Sequence, residues 1–190
     1  VVYHGTDADF SDFDLQTWGK VAGAASSKEG FFFSNRVKTA EYDARGDNPN
    51  IKSAVENKWK PSSPNIMPVY LKIDSPITHD FKGKVFRDKN YADLLSSNKN
   101  SDGAIFKNTY DAGEYNKMDA LLRGRFKSEN VYVVFDPTQI KSAVGNTGSF
   151  SQSERSILKH APKEKSVLDI PVSKEESTLD KVKELSKSNI

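Results

Sequence analysis

Near the start of this 190-residue chain, His4-Gly5-Thr6 sets an imidazole beside a glycine and a hydroxyl. Gly30-Phe31-Phe32-Phe33-Ser34 follows, then Thr39-Ala40-Glu41-Tyr42, and near the far end Ser128-Glu129-Asn130-Val131-Tyr132. An imidazole can hydrogen-bond a sugar hydroxyl. Backbone beside a glycine can come close to a ligand, and a tyrosine ring can stack on a flat heterocycle. A carboxylate such as Glu129 can orient a hydroxyl and offset positive charge growing at a reacting carbon. These parts suit cleavage of a glycosidic bond through an oxocarbenium-like transition state.

The composition leaves this chemistry open and closes others. There is no cysteine, so disulfides, thiolate metal sites and cysteine nucleophiles are excluded. The three histidines, His4, His79 and His160, have no metal-ligand spacing, and no metal site is expected. A formal net charge of +2 gives no electrostatic case for nucleic acid. No apolar run reaches the roughly 18 residues of a membrane span, and no signal-peptide pattern opens the chain. The expected setting is cytoplasmic, with delivery into a host cell as an alternative. Because the chain starts at Val1, it reads as a domain cut from a longer protein.

These residues need a scaffold. Short apolar runs predict strands over residues 1–6, 31–34, 67–73, 103–108 and 131–135. Asn35 is positioned to cap a helix over residues 36–45, and residues 88–98 read as a second helix. Residues 18–30 read as a loop, and residues 46–64 as irregular with one helical turn near 53–58. The fold class is α+β. Residues 151–190 hold no Phe, Tyr or Trp and are rich in Lys, Glu and Ser. That places a domain over 1–152 and a polar tail over 153–190. In the tail, Ser173 and Glu176 form a capping-box pattern ahead of Leu179, Val182 and Leu185, giving a candidate amphipathic helix at 174–188. The tail is read as a linker, with docking to a partner or neighbouring domain as the alternative.

Taken in order, the segments resemble the His-Tyr branch of ADP-ribosyltransferases, which includes poly(ADP-ribose) polymerases and diphtheria-toxin-like enzymes. A closer resemblance is to the ADP-ribosyltransferase domains of phage and mobile-element polyvalent proteins. It rests on His4-Gly5-Thr6, Gly30 to Ser34, Pro68-Val69-Tyr70-Leu71, Asp102-Gly103 and the run Phe135 to Ala143 ending in Gly145-Asn146-Thr147-Gly148. It covers residues 1 to about 152. The resemblance implies a split, bent pair of antiparallel sheets with small flanking helices. It also implies NAD as substrate and transfer of ADP-ribose to a protein or nucleic-acid acceptor, with nicotinamide released.

By the same resemblance His4, Tyr42 and Glu129 are the catalytic set. His4, Gly5, Thr6, Phe33, Ser34, Thr39 and Tyr42 hold NAD, with Gly5 and Thr39 on the carboxamide and Tyr42 stacked on the ring. The pattern departs at one point. Where poly(ADP-ribose) polymerases carry the catalytic Glu, this chain has Val131. Glu129 lies two residues earlier, on the same strand face, while Asp102, Asp111 and Glu114 are more distant substitutes. Gln139 reads as structural. The departure leaves three alternatives beside the transferase: an inactive NAD- or ADP-ribose-binding module, an NAD glycohydrolase, and a phosphate-removing RNA transferase. The basic residues Lys117, Arg123, Arg125 and Lys127 read as a solvated loop facing the acceptor.

Overall fold

The computed structural model describes residues 1–17, 24–45, 64–85, 88–97, 100–111, 128–144 and 149–159. The segments at 53–58, Glu114, the basic residues 117–127 and the 174–188 helix therefore lie outside the described residues.

Seven strands form one sheet: β1 (Val2–Thr6), β2 (Phe31–Ser34), β3 (Asn65–Leu71), β4 (Pro76–Val85), β5 (Gly103–Tyr110), β6 (Glu129–Val134) and β7 (Ile140–Ser142). Among the described residues, two α-helices, α1 (Val37–Arg45) and α2 (Asp88–Ser97), complete the α+β architecture. The strand order is β4-β5-β6-β2-β1-β3-β7. The split is legible at the centre: β1 and β2 meet at a single register pair, Tyr3 with Ser34, whereas β1 and β3 run alongside from Val2 to Thr6. The halves are thus joined into one ladder rather than standing as two sheets.

Nor is the ladder wholly antiparallel. β4 and β5 pair in parallel, because α2 carries the chain across between them as a crossover. β4 itself was missed in the sequence. It is an edge strand that opens on Pro76 and buries only Phe81, so it lacks the alternation that marks a half-buried strand. The three-residue β7 was too short to stand out from the run that contains it.

Each sheet face carries a core. On one, Val2, Phe31, Phe33, Met67, Val69, Val134 and Ile140 pack with Phe13 and Ile157. On the other, Phe106, Val131 and Val133 pack with Phe81 from β4 and with Tyr91 and Leu95 from α2. The packed chain runs beyond the compositional boundary at 152. Ile157 is buried, its N–H donates to the Ser11 carbonyl (2.8 Å), and its carbonyl accepts from Ser142 N–H (2.9 Å). The side chain of Lys141, fully buried, donates to the carbonyls of Glu154 and Ser156, both at 2.8 Å. A buried lysine and a buried isoleucine help to hold this strap, together with the Asp12–Ser156 bridge, and a search for aromatic residues does not detect it.

Candidate active site

Glu129 opens β6, and alternation places it on the face of Val131 and Val133. Both valines are core residues, so their face draws Glu129 inward with them. The side chain is 1% exposed, which is costly for a carboxyl group unless donors surround it. Three do. Ser34 Oγ and Thr39 Oγ1 (2.6 Å) donate to Oε2, and the Asp111 backbone N–H donates to Oε1 (3.1 Å).

Each donor arrives by a different element. Ser34 ends β2, where it pairs with Val131, and its oxygen also accepts the Arg36 N–H at 2.9 Å. It is therefore Ser34, not Asn35, that meets the start of α1. Asn35 is committed to β6: its side chain accepts from Asn130 N–H at 3.0 Å, and its own N–H donates to the Asn130 carbonyl at 3.1 Å. Thr39 lies in the first turn of α1, facing the sheet.

Asp111 reaches Glu129 because β5 bulges. Phe106 pairs with Val131, but the next pair on this face is Thr109 with Glu129, one residue more on β5 than on β6. Asn108 takes up the extra residue in the left-handed region (φ 52°). The Asn130 side chain accepts its N–H at 3.1 Å, and its own amide donates to Asp80 at 3.0 Å. The bulge turns Thr109 inward, where it accepts from the buried Tyr91 hydroxyl at 3.1 Å. Burial first, then the charges of Glu129 and Asp43, push the Asp111 carboxyl well above the usual carboxylate range. Burial first, then the charges of Asp111 and Glu129, push the Tyr91 hydroxyl up as well.

Gly5 sits beneath α1. A Cβ there would lie 1.9 Å from the Ala40 carbonyl oxygen and 2.9 Å from the Ala44 nitrogen. Its missing side chain is what lets α1 lie on β1 and bring Thr39 to Glu129. Tyr42 is half-buried on α1, with the Lys38 ammonium 5.9 Å from its ring centroid.

The structure does not bring His4 to this group. Tyr3 pairs with Ser34 and shares its face, so His4 projects from the other. Its Nδ1 is 2.9 Å from the Phe32 carbonyl, and its ring is caged by Phe13 (5.1 Å between centroids), Phe33 (5.5 Å) and Phe10 (6.5 Å). Phe33, 2% exposed, is part of that cage. Thr6 accepts the Ala8 N–H at 3.2 Å. Asp102 is a turn residue that accepts the N–H groups of Asp74 (2.7 Å) and Ser75 (2.8 Å). Gln139 closes a capping box with Asp136 and ties it to the carbonyls of Lys72 and Asp102.

The hydrogen bond to the carbonyl makes Nδ1 the protonated nitrogen of a neutral His4 ring, leaving Nε2 as an acceptor. Burial pushes the imidazole below its usual range, against the raising effect of the Phe32 carbonyl. The unfolded chain then takes up a proton that the folded one resists. Stability contributed here is present above about pH 6.5 and is lost as pH falls below it, by up to about 1.4 kcal/mol per pH unit. Urea unfolding at pH 7.5 and 5.5 should show a larger loss for the wild type than for His4→Gln. Equal losses would contradict this account.

A cavity of about 570 Å³ opens on the His4 side, lined by Phe10, Ile66, Met67, Pro68, Ile157 and Leu158 among others. Asp9 is its one ionisable lining residue. Among the described residues no cluster of His, Asp and Glu could hold a metal, and no helix is long and apolar enough to cross a membrane.

No curated protein and no solved structure matches the chain. Residues 1–150 match the family described as ADP-ribosyltransferase in polyvalent proteins. That span includes every residue of the Glu129 constellation, and the chain belongs to this family of ADP-ribosyltransferase domains.

Proposed function

We propose that this domain transfers ADP-ribose from NAD to a macromolecular acceptor and releases nicotinamide, with Glu129 as the carboxylate that holds the nicotinamide ribose. The observation that carries this reading is the enclosure of Glu129 by Ser34, Thr39 and Asp111. A Glu at a loop-to-strand junction ordinarily faces water. This one is sealed against the two segments that the resemblance assigns to NAD, and family membership favours NAD as the substrate. Val131, 1% exposed among Phe106 and Val133, has the surroundings of a core residue, and its substitution for Glu is offset by the carboxylate one rung earlier.

In this reading Glu129 acts by charge and orientation. The bond from ribose to nicotinamide breaks with positive charge growing on the sugar, and a fixed carboxylate stabilises that state more than the ground state. The hydroxyls of Ser34 and Thr39 fix its rotamer, so little reorganisation accompanies the reaction. Thr39 donates its hydrogen to Glu129, so toward a nicotinamide carboxamide its oxygen acts as acceptor. His4 stands on the opposite face, where its ring supports the sheet through its aromatic cage.

Incubation of the full chain with adenylate-labelled NAD and a cell lysate tests the transferase directly. The expected result is label on macromolecules together with free nicotinamide. Free ADP-ribose with no labelled acceptor would replace the transferase with a glycohydrolase. NAD bound but intact would leave a binding module.

A further inference from the structure

We propose that Asp111 is the acceptor-side base of this site, taking the proton that the incoming nucleophile releases; the assignment rests on the reading of Glu129 given above. Its backbone N–H donates to Glu129 Oε1 at 3.1 Å, its carboxyl carbon is three bonds from that nitrogen, and the charge of Glu129 acts on that carboxyl. The two carboxyl groups are therefore neighbours, but only one is anchored by donors. Glu129 receives two hydroxyls and an amide, and no hydrogen bond to the Asp111 carboxyl is found among the described residues. Asp111 is also half-buried, whereas Glu129 is sealed.

This difference divides the labour. A carboxylate that holds a sugar hydroxyl and offsets charge should be immobile, as Glu129 is under its three donors, with a lone pair left on Oε1 for the sugar. A base must keep a free lone pair and reach an incoming group. The β5 bulge at Asn108 fixes this geometry, because without the extra residue the strand would exit Glu129 in a different register. Paired carboxyls with separate roles are the usual solution for displacement at a glycosidic carbon.

The step balances as follows. The bond from the ribose carbon to the nicotinamide nitrogen breaks, and its electron pair stays with nicotinamide, which leaves neutral. The acceptor oxygen or nitrogen bonds to the carbon, and its proton passes to the Asp111 carboxylate and then to solvent. The acceptor class is thus a neutral O–H or N–H nucleophile, water included. Among the described residues, the charged groups facing Asp111 are Glu129 from β6 and Asp43 from α1, with the Tyr91 hydroxyl from α2 beside them. Both carboxylates strengthen the base. The rate should rise with pH as Asp111 loses its proton.

The test is nicotinamide release from NAD with a cell lysate as the source of acceptor between pH 5.5 and 9.5, with release in buffer alone and NAD affinity measured alongside. The expected wild-type rate climbs with pH. Asp43→Asn removes a like charge and should move the midpoint of the climb to lower pH. Asp111→Asn should lose about 100-fold or more of the rate, give a flat profile, bind NAD within a few-fold of wild type, and regain rate with added formate. An Asp111→Asn profile that matches wild type, or a loss explained by NAD affinity alone, would overturn the assignment while leaving the proposed function standing. A wild type that binds NAD and releases no nicotinamide at any pH would overturn both.

Discussion

Gly5→Ala should cost about 3 kcal/mol or more and should separate α1 from β1. The added methyl would stand 1.9 Å from the Ala40 carbonyl oxygen and 2.7 Å from its carbon. These are backbone atoms inside a helix, so no side-chain rotation can relieve the overlap, and the helix must move as a body. Overpacking costs about 1–3 kcal/mol where neighbours can adjust and more where they cannot. The displacement also has a chemical consequence. Thr39 is in the adjoining turn, and its bond to Glu129 spans 2.6 Å, so a shift of α1 by about an ångström would break it. Thermal unfolding and NAD affinity of Gly5→Ala should both decline. A variant as stable as wild type would show that α1 does not rest on β1 as described.

Lys141→Met should release the strap at residues 154–157. The lysine is fully buried, and its ammonium donates to two carbonyls, those of Glu154 and Ser156. Met fills a similar volume but donates nothing, so both carbonyls lose their partner at about 1–3 kcal/mol each. Burial lowers the lysine below its usual range, while Glu154 and Asp12 pull it back up; Met escapes that desolvation, which offsets part of the loss. The net expectation is a loss of about 2 kcal/mol and faster trypsin cleavage after Arg155. Unchanged cleavage would mean that Ile157, through its own backbone bonds to Ser11 and Ser142, holds the strap alone.

Much of the scaffold was legible because local pattern and environment agree. Phe31 to Ser34 and the helix at 88–97 each bury a face that their own residues announce, whereas the helix at 37–45 turns Thr39, Ala40 and Ala44 inward and leaves Val37 exposed. β4 was not legible, since an exposed edge strand with Lys82 and Gly83 at positive φ follows no apolar period. Within the site, Ser34, Thr39 and Glu129 were all singled out, but not their hydrogen bonds to one another. Those bonds join residues 90 and 95 positions apart and depend on the register of β2 against β6. Thr109, Asn130 and Tyr91 were not singled out at all. Their placement follows from a bulge at Asn108, a residue whose tolerance of left-handed backbone is the only sequence signal for it. Asp111 was named only as a distant substitute for the missing carboxylate, and the same bulge brings it to Glu129.

The central claim is that Glu129 is the working carboxylate in place of the residue at Val131. Nicotinamide release from NAD by the full chain, measured for wild type and for Glu129→Gln with folding checked by circular dichroism, tests it most directly. The glutamine keeps the volume and an acceptor for Ser34 and Thr39 but removes the charge, and the expected outcome is a folded protein slower by roughly 10²–10³-fold. A folded Glu129→Gln that releases nicotinamide at the wild-type rate would contradict the account and return Glu129 to a purely structural role.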